Sequence, residues 1–124
     1  MNPEIKRQWV EALRSGEYEQ GRGLLRTGDD KYCCLGVLCD LAVKAGVDIP
    51  VTTQVIARGQ VYERTRFVYG GSFEFLPRKV REWAELRLGD PTVFFGDGGM
   101  KSLSTLNDDG LTFNEIADLI EERL

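Results

Sequence analysis

Residues 33–46 read CCLGVLCDLAVKAG, and this segment is apolar on almost every side. A helix that is apolar all round has to be buried all round, so the segment from Leu35 to Gly46 predicts a short, deeply buried helix. Gly46 would end this helix, and Gly36 inside it predicts that another element passes very close. We therefore expect the rest of the chain to pack around residues 35–46.

Both ends of the chain carry amphipathic helices with capping signals. Asn2 can cap the first helix, Pro3 takes the first helical position, and Ser15-Gly16 ends the helix. Thr112 and Glu115 have the spacing of a capping box ahead of the last helix. The apolar residues at helical spacing are Ile5, Trp9, Val10 and Leu13 in the first helix and Phe113, Ile116, Ala117 and Ile120 in the last.

Turns and β-forming residues occupy much of the chain between these helices. Gly28-Asp29-Asp30 separates two short apolar runs and predicts a hairpin turn. Residues 51–56 and 60–69 are rich in β-formers and predict either a hairpin or a partly ordered loop. These two segments fall within residues 47–75, which we treat as a flexible or variable insertion.

A third helix is predicted from Leu76-Pro77 through Leu86–Leu88 to a stop at Gly89. A short strand at 92–95 and a loose loop at 96–99 follow it. Residues 107–110 form the turn that leads into the last helix. The sequence thus predicts one α+β domain over residues 1–124, with about four helices packed with a small, mostly antiparallel sheet.

The composition of the chain limits the classes of protein to which it can belong. The 124 residues suffice for one domain, and 42% apolar and 29% charged residues are typical of globular proteins. No apolar run approaches the ~18–20 residues of a membrane span, and the N-terminus lacks a signal peptide, so we expect a cytoplasmic protein without a membrane partner. A net charge of −4 without a basic stripe argues against nucleic acid as a partner.

The chain contains no histidine, which excludes the catalytic dyads, triads and zinc sites that require imidazole. Cys33, Cys34 and Cys39 are three thiols with neither a fourth zinc ligand nor a general base beside them, so we interpret them as apolar core residues. The alternative is that one of them is a nucleophile made acidic by a helix N-terminus. We expect no enzyme activity, no cofactor and no metal site.

Arginine supplies eleven of the sixteen cations, which suits recognition of anions but is equally consistent with an arginine-preferring genome. Tyr62, Arg64 and Arg66 alternate along the predicted strand 60–69, and Tyr69 follows nearby. Guanidinium groups and aromatic rings together bind nucleotides through phosphate and base. The candidate ligand-binding residues are Arg22, Arg26, Tyr62, Arg64, Arg66 and Tyr69; the alternative is a polar strand face in contact with water.

The cysteine-bearing string at 33–39, with residues 9–16 and 21–23 upstream of it, resembles a group of small phage- and prophage-encoded proteins without an assigned activity. The tail LND, Gly110, TF and EIADLI, within residues 106–120, resembles the same group. The resemblance covers about residues 2–46 and 76–122. It implies a virus-encoded accessory protein in a bacterial cytoplasm and assigns no functional residues.

Three functions are consistent with these observations. The first is a binding protein that sequesters a small anionic, nucleotide-like immune signal. A homo-oligomer is compatible with this function. The second is a protein–protein inhibitor of a host or defence factor, suggested by the apolar strand Val93-Phe94-Phe95 beside the glycine-rich loop. The third is an enzyme that works through carboxylates alone. The positions of the arginines distinguish the first two, because a small anion requires several of them in one concavity.

Overall fold

The computed structural model describes residues 1–56 and 64–124 and shows an α+β fold. Its helices are α1 (Pro3–Arg14), α2 (Cys34–Lys44), α3 (Arg78–Ala84), α4 (Leu103–Asp108) and α5 (Phe113–Arg123). Its strands are β1 (Glu19–Gln20), β2 (Lys31–Tyr32), β3 (Val51–Val55), β4 (Thr65–Tyr69), β5 (Thr92–Phe94) and β6 (Met100–Ser102).

The capping predictions for α1 and α5 are confirmed. The Asn2 side chain accepts hydrogen bonds from the first turn of α1, at 3.0 Å from the amide of Glu4. Thr112 and Glu115 form the reciprocal capping box of α5, with the Glu115 amide 3.2 Å from the Thr112 hydroxyl. Both helices bury the apolar faces predicted for them and pack against each other.

Helix α2 lies in the core over residues 34–39 and at Ala42, as predicted, whereas Val43 and Lys44 near its end are exposed. The indole of Trp9 in α1 donates a 2.9 Å hydrogen bond to the carbonyl of Cys34, which joins the two helices at a fully buried point. A Cβ at Gly36 would lie 1.7 Å from the carbonyl oxygen of Leu25, so only glycine admits this backbone contact. The close approach predicted at Gly36 is confirmed.

The strands form three two-stranded sheets: β1 with β2 in parallel, and β3 with β4 and β5 with β6 antiparallel. The extended segment 26–28 connects the first two sheets. The amide of Phe67 donates to Arg26 at 3.0 Å on one side of this segment, and the amide of Thr27 donates to Lys31 at 2.8 Å on the other. The predicted hairpin turn at 28–30 is therefore present, while the parallel pairing of β1 was not predicted.

Of the two alternatives for 51–69, the structure shows the hairpin. Val51 pairs with Tyr69 and Val55 with Thr65 in one antiparallel register. Residues 57–63 lie outside the described part of the chain, so only the C-terminal half of the predicted strand 60–69 is tested.

The predicted end of the third helix is wrong. Helix α3 stops at Ala84, because Glu85 takes a left-handed conformation (φ 58°) and the amide of Leu86 donates back to Arg81 at 2.8 Å. The carbonyl of Ala84 accepts instead from the amide of Asn2, at 2.9 Å. A contact with α1 thus ends α3, and residues 86–88 lie beyond it.

The segment after α3 contains more regular structure than predicted. The loop at 96–99 is a short 3₁₀ turn that joins β5 to β6, which directly precedes α4. Helix α4 was not predicted, and it includes Asn107 and Asp108, which we had placed in a turn. The described residues contain five helices, four of them with seven or more residues, so the predicted α+β fold with about four helices is confirmed.

Across residues 1–56 and 64–124, no helix has the length and apolar character needed to cross a membrane. Within the same residues, no three His, Cys, Asp or Glu side chains are grouped so that they could hold a metal ion.

Candidate functional site

A surface cleft of about 640 Å³ lies beside the bridging segment 26–28. Its floor is built where this segment runs along β4, with the amide of Gly28 donating to Thr65 at 2.9 Å. A Cβ at position 28 would lie 1.8 Å from the hydroxyl of Thr65, so a glycine here allows the two segments to meet. The lining residues are Arg22, Gly23, Leu24, Thr27, Gly28, Asp29, Ile56, Arg64 and Thr65.

Among the described residues, Arg22 and Arg64 are the two cations that line this cleft, and both are exposed. Among the described residues, neither guanidinium has a carboxylate within 4.0 Å. The part of the cleft that the structure describes also contains the carboxylate of Asp29, which accepts from the hydroxyl of Thr27 at 2.5 Å. The arrangement combines two guanidinium groups with hydroxyl groups and one acceptor, which suits an anion that also carries hydroxyl groups.

The backbone on both sides of Arg22 is held by α4. The side-chain amide of Asn107 donates to the carbonyl of Gly21 at 2.8 Å. The amide of Gly23 donates to the carboxylate of Asp108 at 3.0 Å. These bonds anchor the glycine-flanked segment on the far end of the chain, so Arg22 projects from a supported loop.

Arg26 does not line this cleft, and its side chain contacts β2, β4 and the turn at 28–30 instead. Its guanidinium carbon is 3.7 Å from the ring centroid of Phe67 and 5.2 Å from that of Tyr32. It also forms an ion pair with Asp30 at 2.5 Å and donates to the hydroxyl of Tyr69 at 3.4 Å. The guanidinium group of Arg26 is therefore already occupied by aromatic rings, and its charge is paired with a carboxylate.

Arg66 and Tyr69 are also engaged within the fold. Arg66 donates to Gln54 across the hairpin at 2.8 Å and lies 3.5 Å from the ring centroid of Phe73. Tyr69 is buried, on the opposite face of β4 from Arg66. Tyr62 lies outside the described residues. Of the six predicted residues, the structure thus brings Arg22 and Arg64 together and places Arg26, Arg66 and Tyr69 elsewhere.

A second concavity, of about 500 Å³, is lined by one of the six predicted residues, Arg26, and otherwise by residues that were not predicted. It centres on Tyr18, whose hydroxyl donates to the carboxylate of Asp40, and on Lys44, which lies 3.1 Å from the same carboxylate. Burial and the bond to Asp40 raise the pKa of Tyr18, and Lys44 opposes that rise. Because these charges neutralise one another, this concavity has less capacity to bind an anion than the first. The i,i+4 spacing of Asp40 and Lys44 on α2 was the available sequence signal.

A family model described as "Domain of unknown function (DUF8296)" matches residues 1–124. The chain belongs to this family. No curated protein and no solved structure matches it.

The cysteines are buried, as their interpretation as core residues requires. Burial raises the pKa of Cys33 to about 11. Burial also raises the pKa values of Cys34 and Cys39 well above that of a free thiol. The helix N-terminus at Cys33 therefore does not make it acidic, and all three thiols are protonated and enclosed near neutral pH.

Asn107 is the most informative residue that the sequence did not single out. It is a buried polar side chain, and its Oδ1 accepts from Gln20 at 2.8 Å and from the amide of Cys34 at 3.2 Å. The N-cap residue of α2, Cys33, makes no side-chain cap, so Asn107 provides that cap from a distant helix. One side chain thus connects α2 to the loop that carries Arg22.

Proposed function

We propose that this protein binds a small anionic, nucleotide-like ligand in the cleft of Arg22 and Arg64 and captures it without converting it. One observation carries the proposal: two arginines from distant parts of the chain line one cleft, and neither is neutralised by a described carboxylate. A guanidinium group binds phosphate oxygens through paired N–H donors. Two such groups on one cleft match a phosphate or diphosphate.

The other lining groups suit the remainder of a nucleotide. Thr27 and Thr65 carry hydroxyl groups on the floor, and Asp29 can accept from hydroxyl groups such as those of a ribose. Leu24 and Ile56 add apolar surface for the non-polar part of the ligand. The combination favours a ligand with both charge and hydroxyl groups over inorganic phosphate alone.

Capture rather than turnover is supported by the titratable groups. The chain has no histidine, and the thiols are buried with raised pKa values. Few groups near the cleft could therefore exchange protons at neutral pH. The carboxylate-only enzyme would depend on Asp29, whose pKa is lowered by its bond to Thr27, which makes it a weak base.

The resemblance of the cysteine-bearing string and the tail to phage and prophage proteins supplies the context for this proposal. In a virus-encoded accessory protein, a cleft for a nucleotide-like anion would serve to sequester an immune signal in the bacterial cytoplasm.

Calorimetry tests this proposal with a panel of cyclic nucleotides, ADP-ribose derivatives and inorganic phosphate. We expect binding of at least one nucleotide-like compound. Each of the changes Arg22→Ala and Arg64→Ala should weaken it about 10- to 100-fold, because a hydrogen bond to a charged group contributes roughly 1.5–3 kcal/mol. Arg87→Ala is the matched control, since Arg87 is exposed but does not line the cleft. Absence of binding across the panel would refute the proposal.

A second candidate function is inhibition of a host or defence protein. Phe94 and Met100 are 58% and 52% exposed and pair directly across the β5–β6 hairpin, so they present a joined apolar patch. The double change Phe94→Ser and Met100→Ser should abolish capture of a specific protein from host lysate, while Arg22→Ala should leave it intact. If no specific protein is retained by the unaltered chain, this alternative fails.

A further inference from the structure

Strand β3 is the outer strand of its hairpin. The bonds at its two ends show which of its residues form hydrogen bonds with β4 and which point away from it. The amide of Ile56 donates to Arg64 at 2.8 Å, and the carbonyl of Pro50 accepts from Gly70 at 2.8 Å. In an antiparallel ladder the backbone groups of alternate residues point toward the same neighbour. Even-numbered residues of β3 therefore bond to β4, and the odd-numbered residues direct their N–H and C=O groups outward.

The outward groups belong to Val51, Thr53 and Val55. Within residues 1–56 and 64–124, no backbone or side-chain group forms a hydrogen bond with them. All five residues of β3 are exposed, with Val51 at 37% and Val55 at 54%. Among residues 1–56 and 64–124, the three donors and three acceptors along this edge thus have no partner.

This edge lacks the usual protection against pairing. Exposed edge strands normally carry a lysine, another charge, a proline or a bulge that prevents pairing with another chain. Residues 51–55 read VTTQV, with no charge and no proline, and the pairing with β4 is continuous. The two valines and the central threonine alternate on one face of the strand.

We propose that β3 pairs with β3 of a second copy of this chain, antiparallel and centred on Thr53. Two-fold symmetry places Thr53 opposite its equivalent, Val51 opposite Val55 of the second copy, and Thr52 opposite Gln54 of the second copy. The outward residues then face one another as hydrogen-bonded pairs. All free groups of both strands are satisfied, and the two hairpins become one four-stranded sheet.

No other register does this. A shift by one residue sets outward groups of one strand against groups of the other strand that already bond to β4. A shift by two residues leaves one outward residue of each strand without a partner. The centred register is therefore the one in which the sequence VTTQV complements itself.

Side chains and charge also favour a second copy. The centred register joins valine to valine and threonine to threonine across the new pair, which are favourable cross-strand contacts. The chain as a whole has a net charge of −4 and repels its copies, but β3 contributes nothing to that repulsion. Because two five-residue strands bury less than the roughly 1,200 Å² of a standard interface, the dimer should dissociate on dilution.

Analytical ultracentrifugation of the full chain tests the dimer from about 1 µM to about 1 mM, a range that covers weak association. We expect the average mass to rise from one copy toward two. Thr53→Glu places two carboxylates opposite each other on the axis and should weaken the association at least about tenfold. Thr53→Gln is the neutral control of similar size and should retain it. A chain that stays monomeric throughout this range would overturn the proposal. An extended segment of another protein would then be the remaining candidate to pair with β3.

Cross-linking tests the register separately. In a hydrogen-bonded antiparallel pair the facing Cα atoms lie about 5.5 Å apart, within the range that a disulfide spans. Thr53→Cys should therefore form a disulfide-linked dimer under mild oxidation. Val55→Cys should not, since the two copies of position 55 lie four residues out of register, about 14 Å apart. Equal cross-linking of both variants, or a dimer that Thr53→Glu leaves unchanged, would refute pairing through β3.

Discussion

Replacing Asn107 by alanine should destabilise the fold far more than the change of one amide suggests. Asn107 accepts from Gln20 and from the amide of Cys34, and it donates to the carbonyl of Gly21. Alanine removes these bonds, together with a fourth from the Asn107 amide to the Asp108 carboxylate at 3.1 Å, and leaves two backbone groups without these partners. The amide of Cys34 is the more costly of the two, because it lies in the core at the N-terminus of α2.

The magnitude follows from these contacts. Loss of an N-cap typically costs about 1 kcal/mol, and a buried group left unpaired costs roughly 1–3 kcal/mol. Since the Cys34 bond is both the cap and one of the buried groups, we count it once and expect a loss of about 2–4 kcal/mol in the free energy of unfolding. For a domain of this size that lowers Tm by roughly 10 °C.

Urea denaturation followed by circular dichroism measures this loss as a lower transition midpoint with an unchanged m-value. Asn114→Ala is the matched control, because Asn114 is an exposed residue of α5 and its loss should change stability by less than about 0.5 kcal/mol. If Asn107→Ala costs less than about 1 kcal/mol, the amide does not cap α2 and the connection between α2 and α4 is misassigned.

Two further predictions concern the core. Gly36→Ala should lower the free energy of unfolding by about 3 kcal/mol or more, or prevent folding, because the new Cβ overlaps the backbone of Leu25. Gly98→Ala is the control: its Cβ would lie 3.6 Å from the flexible end of Lys101, so thermal melts should show no change in stability. Since the folded pKa of Cys33 is raised from 9.0 to about 11, the stability from its protonated thiol is present below pH 9 and is lost as the pH rises through about 11. Accordingly, a thiol reagent at pH 8 should label the native protein slowly and all three cysteines rapidly in denaturant; rapid native labelling would contradict the enclosed geometry.

Elements with local signals were predicted well. The caps of α1 and α5 depend on residues two or three positions apart, so their sequence spacing was sufficient. The burial of residues 34–39 and 42 of α2 followed from their composition, because these residues offer no polar side chain to expose. The buried cysteines followed for the same reason.

Elements that depend on distant partners were predicted poorly. Helix α3 ends where the amide of Asn2 donates a hydrogen bond to the carbonyl of Ala84. The residues that follow Ala84 give no sequence signal for this contact. Helix α4 reads as a turn because Asn107, Asp108 and Gly110 favour turns in isolation. Its Asn107 is instead bound to residues 73 and 87 positions away.

The candidate site divides in the same way. The sequence identified arginines as suitable for anions and placed Arg64 and Arg66 at alternate positions of the predicted strand 60–69. It could not show that Arg26 is held by Phe67 and Asp30 or that Arg66 is held by Gln54 and Phe73. Only the packing of the bridging segment against β4 leaves Arg22 and Arg64 in one cleft.

By itself the sequence determined the α+β composition, the caps of the terminal helices, the buried central helix and the absence of histidine chemistry. These are properties of single residues or of neighbours within about one helical turn, where spacing alone decides contact. Tertiary structure alone decided which polar residue caps α2. It also decided which arginines and which strand edge lack partners among residues 1–56 and 64–124. Each of these depends on hydrogen bonds and packing between residues far apart in the chain, and such contacts exist only once the backbone has brought the elements together.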